Sequence, residues 1–380
     1  MTLTIAALSL LIWLYCILFR GGYWRARVEG DEPTSQPRAW PHIVAVIPAR
    51  NEEDSIADCL MSLLVQDYPG RLSIILVDDN SEDATASTAE SLPQRTGSKV
   101  PLTILRGEPL PEGWTGKLWA VQQGIAAATR ESPDHLLLTD ADIVYEPGAL
   151  RTLAARSESG RYVLTSLMAK LRCESLAERA FIPAFVYFFQ MLYPFAWVND
   201  PRNRMAAAAG GCMLLRADAL ARAGGIAVIR GALIDDCSLA NVMKAQGPIW
   251  LGLTHRVRSI RVSGTMSDIH TMISRSAYAQ LRYSPILLAL TLIGMGLTYW
   301  APPLIGLFGE GATRGLALAA WALMAVSFWP ILRFYGLSPL WAPALPVIAT
   351  GYMAFTFSSA FQHLLGRGGR WKGRYQARKV

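Results

Sequence analysis

The sequence predicts an α/β fold, in which a mostly parallel central sheet is covered by helices and membrane helices lie at both ends of the chain. Apolar strand-like runs alternate with helical stretches between residues 38 and 283, a pattern typical of βα units. Long apolar segments occupy residues 1–19 and 285–365. Only 17% of the 380 residues are charged, whereas about 25% is usual for a soluble protein.

The composition excludes several classes of protein. With 52% hydrophobic residues the chain is too apolar to be disordered, and it is too poor in charge to be a coiled coil. Its five cysteines are scattered and form no C-x-x-C pair, which indicates neither a disulfide scaffold nor a zinc site. We expect reduced thiols, as in the cytosol.

Residues 1–20 predict an N-terminal transmembrane anchor. An apolar helix of about 20 residues crosses the hydrocarbon core, and Arg20, Arg25 and Arg27 follow the uncharged run at once. A cleaved signal peptide is the alternative, but no Lys or Arg precedes the run and no A-x-A cleavage site follows it. By the positive-inside rule the arginines place residue 20 onward in the cytoplasm.

Residues 285–365 predict C-terminal membrane segments, with candidate spans at 285–308, 315–333 and 340–365. Three crossings that start in the cytoplasm would leave the end of the chain outside, whereas two or four would keep it inside. The Pro302–Pro303 pair could turn the first segment into an interfacial or re-entrant element. The sequence leaves the number of crossings open.

The tail, residues 366–380, is strongly basic, with six Lys and Arg and no acid. A solvated run of charge is one interpretation. Because the tail follows an apolar segment directly, we expect contact with anionic lipid headgroups. An outside location for this tail would contradict the positive-inside rule, which is the reason the number of crossings matters.

A third apolar run, rich in aromatic residues, covers residues 181–198. By length alone it could cross a membrane. The segments before and after it would then lie on opposite sides, although the chemistry described below needs both on one side. We therefore predict an interfacial helix or the wall of a groove.

The central region, residues 38–268, is predicted to be a cytoplasmic α/β domain, followed by a membrane-proximal amphipathic helix at 269–284. In sheets of this kind ligands bind at the carboxyl ends of the strands, so the residues after each strand are the first candidates for a site. The predicted strands cover 42–47, 72–77, 102–105, 135–139 and 162–167, and helical stretches cover 56–65, 117–128 and 146–157.

Acidic residues follow three of these strands. Glu52 lies in the loop after the first strand, Asp79 follows the second, and Asp140 and Asp142 come directly after the fourth. Two carboxylates at this spacing can share Mg²⁺ or Mn²⁺, and the cation would neutralise a diphosphate. A metal-assisted diphosphate site at the sheet edge is the prediction.

Helix capping is the alternative explanation for polar residues after strands. Asn51 and Ser81 suit helix N-caps. Capping does not explain Asp140 and Asp142, which stand two apart straight after the buried run Leu136–Leu138.

The ordered motifs of the chain resemble the family-2 glycosyltransferases with a GT-A fold. The matching motifs are PARNEE (48–53), VDDNSEDAT (77–85), GKLWA (116–120), TDAD (139–142), GGCMLLR (210–216) and IDDCSLA (234–240). The stretch PEGWTGKLWAVQQG, the N-terminal anchor and QLRYS before the C-terminal spans look most like the hopene- or hopanoid-biosynthesis-associated membrane glycosyltransferases, which are relatives of the ceramide glucosyltransferases.

The resemblance implies an inverting transfer of a sugar from a nucleotide diphosphate sugar, with UDP favoured, to an acceptor hydroxyl. Carboxylates accept hydrogen bonds from ribose and base donors, and a cation on the diphosphate improves the leaving group. The residues that the family implies on the donor side are Glu52, Asp79, Lys117, Asp140 and Arg282, with Asp142 and Asp140 holding Mg²⁺ or Mn²⁺. For Lys117 a surface position at a helix start is the alternative.

The family's general base matches Asp236 in the pair Asp235–Asp236, in which Asp235 replaces the usual Glu. A base must remove the acceptor proton on the face of the sugar opposite the leaving group. The alternative is that Asp236 only caps the N-terminus of a helix at 237–244. The resemblance places Gly210, Gly211 and Tyr283 on the acceptor side.

The last family motif matches only in part. Tyr283 stands for the usual Trp, and Gln280 is one residue late, which leaves the acceptor geometry open. His255 and His270 stand alone and are expected to be structural.

The leading hypothesis is a metal-dependent glycosyltransferase that acts on a lipid hydroxyl, for which a hopanoid is one candidate. It would lie in the cell inner membrane as a multi-pass protein with its catalytic domain in the cytoplasm. The alternatives are a polyprenyl-phosphate glycosyltransferase, a processive polysaccharide synthase, for which the apolar segments are few, and a noncatalytic lipid-trafficking component. No nucleic-acid partner is expected, because the basic clusters lie beside the apolar segments. No motif in the sequence identifies the sugar, the acceptor or the oligomeric state.

Overall fold

The computed structural model describes residues 1–366, 370–371 and 374–375. Within them, eight strands form one sheet in the order β3-β2-β1-β4-β7-β6-β8-β5. The strands are β1 (Ile43–Ala49), β2 (Leu72–Asp78), β3 (Leu102–Arg106), β4 (His135–Thr139), β5 (Ile143–Tyr145), β6 (Leu164–Lys170), β7 (Cys212–Arg216) and β8 (Ile249–Ser259).

The sheet is mixed, so the prediction of a mostly parallel sheet is confirmed only in part. β3, β2, β1 and β4 are parallel to their neighbours. β7 is antiparallel to both β4 and β6, β8 is parallel to β6, and β5 is antiparallel to β8. Strands β5, β7 and β8, which were not among the predicted ones, introduce all three antiparallel pairings.

The central strands are buried on both faces because helices cover them. Every residue of β1, β2 and β4 is buried, and such strands read as continuous apolar runs rather than alternating ones. Val44 and Val46 face one hydrophobic core, whereas Ile43, Ala45 and Ile47 face the other. The sheet is held between the two cores, and the predicted acids lie where its central strands end.

Fifteen α-helices lie in the described residues. They are α1 (Thr2–Phe19), α2 (Ile56–Leu64), α3 (Thr85–Thr96), α4 (Gly116–Ala128), α5 (Ala149–Gly160), α6 (Leu176–Leu192), α7 (Phe195–Asn199), α8 (Ala217–Arg222), α9 (Asp235–Lys244), α10 (Met266–Ser274), α11 (Ala277–Gln280), α12 (Pro285–Met295), α13 (Ala301–Phe308), α14 (Gly311–Phe334) and α15 (Leu345–Leu364). The helices predicted at 56–65, 117–128 and 146–157 correspond to α2, α4 and α5.

Four helical segments of the described chain are long and apolar enough to cross a membrane: Thr2–Phe19, Pro285–Phe308, Gly311–Phe334 and Pro339–Leu364. They coincide with the four apolar segments expected from the sequence. The second consists of α12 and α13 joined by a π-turn at Gly296–Trp300. The fourth begins with a 3₁₀ segment, Pro339–Ala344, before α15.

α1 packs against the C-terminal segments through specific polar contacts. Ser9 Oγ donates to the carbonyl of Leu297 at 3.1 Å, and Trp13 Nε1 donates to the carbonyl of Thr298 at 2.9 Å. Both acceptors lie in the π-turn, a feature that departs from regular α-helical hydrogen bonding. The first and last parts of the chain thus form one helix bundle.

The aromatic run at 181–198 forms α6 and α7, which lie between the sheet and this bundle. The Tyr187 hydroxyl lies 3.0 Å from the Tyr23 hydroxyl and 2.7 Å from Ser327 Oγ of α14. The segment predicted as one amphipathic helix at 269–284 is instead divided into α10 and α11. The basic tail lies mostly outside the described residues; within it, β9 (Arg370–Trp371) pairs antiparallel with β10 (Arg374–Tyr375). All five cysteines are free.

Candidate active site

The carboxyl ends of β1, β2 and β4 meet at one edge of the sheet, as their parallel pairing requires. The loop after β1 carries Glu52, β2 is followed by Asp79, and β4 by Asp140 and Asp142. The side chains of Asp79 and Asp142 are almost completely buried, with 1% and 6% of their surface exposed. The structure therefore brings together the acids that the sequence analysis selected.

Lys117 links this edge to the other predicted acidic pair. Its Nζ lies 2.8 Å from Oδ1 of Asp140 and 3.1 Å from Oδ2 of Asp235. Burial alone would lower the pKa of Lys117, but the two carboxylates raise it, so the ammonium stays charged. Lys117 sits in the first turn of α4, where Thr115 accepts the capping hydrogen bond from Leu118 N; it is not the surface lysine of the alternative interpretation.

Asp235 and Asp236 are the first two residues of α9, so the predicted helix start at residue 237 lies two residues late. Asp236 accepts hydrogen bonds from Gly210 N at 3.1 Å and from Cys237 N at 2.7 Å. A Cβ at Gly210 would come within 3.4 Å of Asp236 Oδ2 and 3.6 Å of Lys117 Nζ. Gly210 thus lets the backbone approach both charged groups.

Neighbouring charges drive the pKa values of the two aspartates apart. Burial, and after it the adjacent Asp235 carboxylate, together raise the pKa of Asp236 to about 6. Burial also disfavours the charged form of Asp235, but the Lys117 ammonium outweighs it and lowers its pKa. Two carboxyl groups with divergent pKa values are typical of acid–base sites.

Arg261, which follows β8, occupies the other side of the acidic edge. Its Nε donates to Asp142 Oδ2 and its guanidinium to Glu52 Oε1, each at 2.9 Å. Ser259 Oγ donates to the same Asp142 oxygen at 2.8 Å. Burial would raise the pKa of Asp142, but Arg261 and these hydrogen bonds hold it below its usual value.

The residues present fit a divalent cation only when the substrate supplies the remaining ligands. Among the described residues, no group of three or more His, Cys, Asp and Glu side chains could hold a metal. Mg²⁺ is commonly bound by one or two carboxylates together with substrate phosphates, and Asp140 and Asp142 offer that pair. The two carboxylates are held by Lys117 and Arg261, cations that a bound metal would have to share or replace.

The candidate caps Asn51 and Ser81 tie two loops together instead of capping helices. Asn51 N donates to Ser81 Oγ at 3.0 Å, and Glu82 N donates to Asn51 Oδ1 at 2.8 Å. The helix caps of α2 and α3 are Ser55 and Ala84. The loops after β1 and β2 are thereby fixed against each other, which positions Glu52 and Asp79.

Arg282 and Tyr283 lie in the turn between α11 and α12. Arg282 is exposed, and no hydrogen bond or ion pair of its side chain is present in the described part of the chain. Tyr283 stacks on His363 of α15, with ring centroids 4.3 Å apart. Both residues have positive φ, at 52° and 55°, so they form a tight turn. Tyr283 thus packs against α15 and is 41% exposed, and its acceptor-side role stays a prediction.

Gln280, one residue away from the expected motif position, is linked through Tyr193 to the start of α9. Its Nε2 donates to the Tyr193 hydroxyl at 2.6 Å. Tyr193 follows α6 and hydrogen-bonds with the thiol of Cys237, the residue after Asp236. Gly211 packs against β5: a Cβ added at Gly211 would come within 2.8 Å of the Ile143 side chain.

Tyr193 and Arg261 were missed because their partners are 40 or more residues away along the chain, and no local motif marks either of them. The isolated histidines have structural contacts, as expected. His255 stacks on Phe334 at 4.5 Å, and His270 lies 2.8 Å from Ser358 Oγ.

Comparison with known proteins gives matches in the central region of the chain. Residues 44–224 match the family described as Glycosyl transferase family 2. An N-acetylglucosaminyltransferase of Rhizobium leguminosarum bv. viciae is 30% identical over 158 residues, which cover 40% of this chain and 35% of that protein. A 4,4'-diaponeurosporenoate glycosyltransferase of Staphylococcus aureus is 31% identical over 103 residues, which cover 27% of this chain and 24% of that protein.

The match spans about a third or less of the length of these relatives. A solved mannosyltransferase from Pyrobaculum calidifontis, in complex with GDP-Man and Mn²⁺, superposes with a TM-score of 0.54 at 18% identity. It covers 95% of this chain and 98% of its own. At this identity the likeness concerns the fold.

Proposed function

We propose that this glycosyltransferase, whose family 2 domain has the GT-A fold, transfers a sugar from a nucleotide diphosphate sugar to the hydroxyl group of a membrane lipid. The observation that carries the proposal is the placement of Asp236. It is a half-buried carboxylate with a raised pKa beside the acidic sheet edge, and Gln280 and Tyr193 connect the next residue, Cys237, to the helices beside the apolar bundle.

The acidic edge suits the donor. Glu52 and Asp79 would accept hydrogen bonds from the nucleoside, since ribose hydroxyls and base N–H groups are donors. Asp140 and Asp142 would hold Mg²⁺ or Mn²⁺, which stabilises the negative charge that develops on the leaving diphosphate. Lys117 and Arg261 add positive charge at the same place. UDP is the favoured nucleotide by resemblance to the family.

Asp236 is the general base in this proposal. Its carboxylate would take the proton of the acceptor hydroxyl as the new bond to the sugar forms. The hydrogen bonds from Gly210 N and Cys237 N hold it in one orientation. Lys117 keeps Asp235 ionised, and the resulting negative charge next to Asp236 strengthens the base.

A lipid acceptor is supported by the position of the site. Tyr193, which follows the end of α6 at Leu192, hydrogen-bonds with Gln280 of α11, a helix that contacts the apolar segments. Arg20, Arg25 and Arg27 follow α1 directly, so the positive-inside rule favours a cytoplasmic domain on an inner membrane. A sterol-like or polyprenyl lipid with its hydroxyl at the interface could reach the base without leaving the bilayer; a hopanoid is one such lipid.

Purified protein in lipid vesicles tests the proposal. It would be given radiolabelled UDP-sugars and extracted membrane lipids, with and without Mn²⁺. We expect label in the lipid phase, lost in Asp236→Asn and kept in Asp218→Asn, a matched change at an exposed aspartate. Label only in water-soluble product would contradict a lipid acceptor. Full activity of Asp236→Asn would point to an acceptor that is already anionic, such as a polyprenyl phosphate.

A further inference from the structure

Three of the apolar segments, α1, α12 and α14, each have one end next to the domain that contains the eight-stranded sheet. Arg20, after α1, donates from Nε to a backbone carbonyl of α6 at 2.6 Å. Phe334, the last residue of α14, stacks on His255 of β8. Tyr283, two residues before α12, accepts at its carbonyl from the Tyr278 hydroxyl of α11 at 2.8 Å. Arg20, Tyr283 and Phe334 therefore mark the domain side of the bundle.

After α14 the chain turns back into the bundle. Trp321 lies 13 residues before Phe334 in α14, which corresponds to about 20 Å along an α-helix. Its Nε1 donates to the carbonyl of Pro343 at 3.1 Å. The 3₁₀ segment Pro339–Ala344 thus carries the chain from the domain side to about the middle of the 24-residue α14.

α15 then returns to the domain side. Near its start, Thr350 Oγ1 accepts from Trp300 Nε1 at 2.9 Å, and Trp300 lies about 22 Å along its helix from the start of α12. Near its end, His363 stacks on Tyr283. α15 therefore begins at mid-bundle, runs antiparallel to α12 and α13, and ends at the level where α12 begins.

The inner face of α15 stays in contact with the domain's helices. The Tyr352 hydroxyl donates to the carbonyl of Phe181 in α6 at 2.8 Å. Two turns later, Ser358 Oγ lies 2.8 Å from His270 Nε2 of α10. A helix that crossed the bilayer would leave the domain behind, whereas α15 still touches its membrane-proximal helices at His363.

The outer face of α15 is an apolar stripe. Its exposed residues recur every three, four or seven positions: Val347, Ala354, Phe357, Phe361 and Leu364. Val347 and Leu364, at its two ends, are 69% and 77% exposed. Exposed apolar side chains on one face, opposite a buried face, are typical of a helix in contact with lipid acyl chains.

We propose that Pro339–Leu364 is a re-entrant hairpin, which enters the bilayer from the domain side, reaches about its middle and returns, with its outer stripe against the acyl chains of that leaflet. The proposal rests on the membrane placement given above. Backbone polar groups at membrane depth must be hydrogen-bonded within the protein. In the descending 3₁₀ segment, Leu340 N donates to Ser338 Oγ, Trp341 N donates to the Ser338 carbonyl, and the Pro343 carbonyl accepts from Trp321 Nε1.

The hairpin resolves the conflict over the number of crossings. The chain crosses the bilayer three times, through α1, through α12 with α13, and through α14. The six Lys and Arg among residues 367–379 then follow on the same side as the arginines after α1, so one orientation satisfies the positive-inside rule at both places. The re-entrant element is thus the last apolar segment, rather than the one that contains Pro302–Pro303.

Substituted cysteines in the full chain test the hairpin. Glu310→Cys, Ser338→Cys, a cysteine appended after Val380 and Glu90→Cys on α3 as the domain reference would each be exposed to a membrane-impermeant maleimide in vesicles of both orientations, with the wild-type chain as background. We expect the appended cysteine and Ser338→Cys to be labelled from the same side as Glu90→Cys, and Glu310→Cys from the opposite side.

Labelling of the appended cysteine from the Glu310 side would overturn the hairpin, because α15 would then cross. Labelling of Glu310→Cys from the domain side would overturn both the hairpin and the membrane placement under the proposed function. Each variant would also be assayed for sugar transfer, so that a chain with the expected topology and no transfer activity counts against the proposed function alone.

Spin labels on the outer stripe give an independent readout. At Val347→Cys, Phe357→Cys and Leu364→Cys, we expect the depth in the bilayer, measured by the ratio of oxygen to water-soluble relaxant accessibility, to fall steadily from the first to the last. A crossing helix would instead place Phe357→Cys deepest and Leu364→Cys shallow on the far side. That profile would contradict the hairpin even if every variant folds.

Discussion

Asp236 is a carboxyl group whose environment suits proton removal near neutral pH. Burial and the charge of Asp235 raise its pKa to about 6, and an effective base has a pKa close to the working pH. Its neighbour Asp235 cannot take the same role, because Lys117 lowers its pKa and occupies one of its oxygens. The roles of two adjacent aspartates are thus separated by a single lysine.

The transfer rate should depend on the protonation of Asp236. Below pH about 6 we expect kcat to fall tenfold per pH unit, because the base becomes protonated. In Asp235→Asn the negative neighbour is lost and the Lys117 ammonium is freed, so the acid limb should move to lower pH. The kcat–pH profiles of both proteins check this; an acid limb at an unchanged pH in Asp235→Asn would exclude Asp236 as the titrating base.

Tyr193 should position the base rather than react. In Tyr193→Phe the hydroxyl that accepts from Gln280 is removed, so the link between α11 and the base is broken. We expect kcat to fall about tenfold while the KM for the nucleotide sugar stays unchanged, since the donor binds at the other side of the site. Tyr15→Phe, on the exposed face of α1, is the matched control. A rise in the donor KM would argue against this role.

The sequence predicted the residues whose role is local and missed those whose role depends on distant contacts. Glu52, Asp79, Asp140 and Asp142 follow strands directly, and parallel pairing alone brings them to one edge. Arg261 reaches Glu52 across 209 positions of sequence, and no pattern near Arg261 indicates that contact. Tyr283 was expected at the site because of its motif; it lies in a positive-φ turn and stacks on His363 of α15, and its acceptor-side role stays a prediction.

At the scale of the elements, α6 is anchored by a buried charge at its first turn. Glu178 is completely buried and accepts from Arg172 Nη1 and from the backbone of Glu174, Ser175 and Ser263. Burial alone would raise its pKa, but these hydrogen bonds and Arg172 lower it to about 2. The carboxylate joins the start of α6 to the segment that leads into α10.

Removal of this charge should destabilise the protein. Glu178→Gln leaves Arg172 without its buried partner, which costs about 3–5 kcal/mol. Because the folded pKa lies below the ordinary value of 4.5, the stabilisation is present above pH 4.5 and is lost as the pH falls toward 2. Thermal unfolding in detergent at pH 7 and pH 3.5 measures this; Glu174→Gln, at an exposed partner of the same arginine, is the control.

If the difference in Tm between the wild type and Glu178→Gln is as large at pH 3.5 as at pH 7, the charge of Glu178 is not the cause of the stabilisation.

The strands were predictable where apolar runs are continuous, and their directions were not. β1, β2, β3 and β4 alternate with helices and are parallel, as βα units require. β7 has a comparable apolar sequence, yet it enters between β4 and β6 in the antiparallel direction, because the long excursion through α6 and α7 separates it from β6. Pairing after an excursion of this length is set by the packing of the whole domain.

At the scale of the whole molecule, α1 is a packed part of the bundle as well as an anchor. Trp13 is fully buried, and its ring lies at 5.6 Å from Tyr299 in an edge-to-face arrangement. Leu11 on the same helix is 61% exposed. Trp13 and Leu11 thus mark the packed face and the exposed face of α1.

Trp13→Ala should lower the stability of the whole protein. The loss of a buried Trp side chain costs about 3–5 kcal/mol, and the hydrogen bond to Thr298 is lost with it. We expect a clear fall in Tm in detergent and faster loss of transfer activity on heating. Leu11→Ala should change neither quantity noticeably. Equal effects of the two substitutions would indicate that α1 is only an anchor.

The π-turn at Gly296–Trp300 has a consequence for the order of assembly. Its carbonyls at Leu297 and Thr298 are bonded by Ser9 and Trp13, whose positions along the chain differ from theirs by 288 and 285 residues. At about 5–20 residues per second of synthesis, α1 waits roughly 15–60 s after emerging from the ribosome before its partners exist. During this time its polar groups must be satisfied by the insertion machinery or by water at the interface, and these two contacts form only after Leu297 and Thr298 have been synthesised.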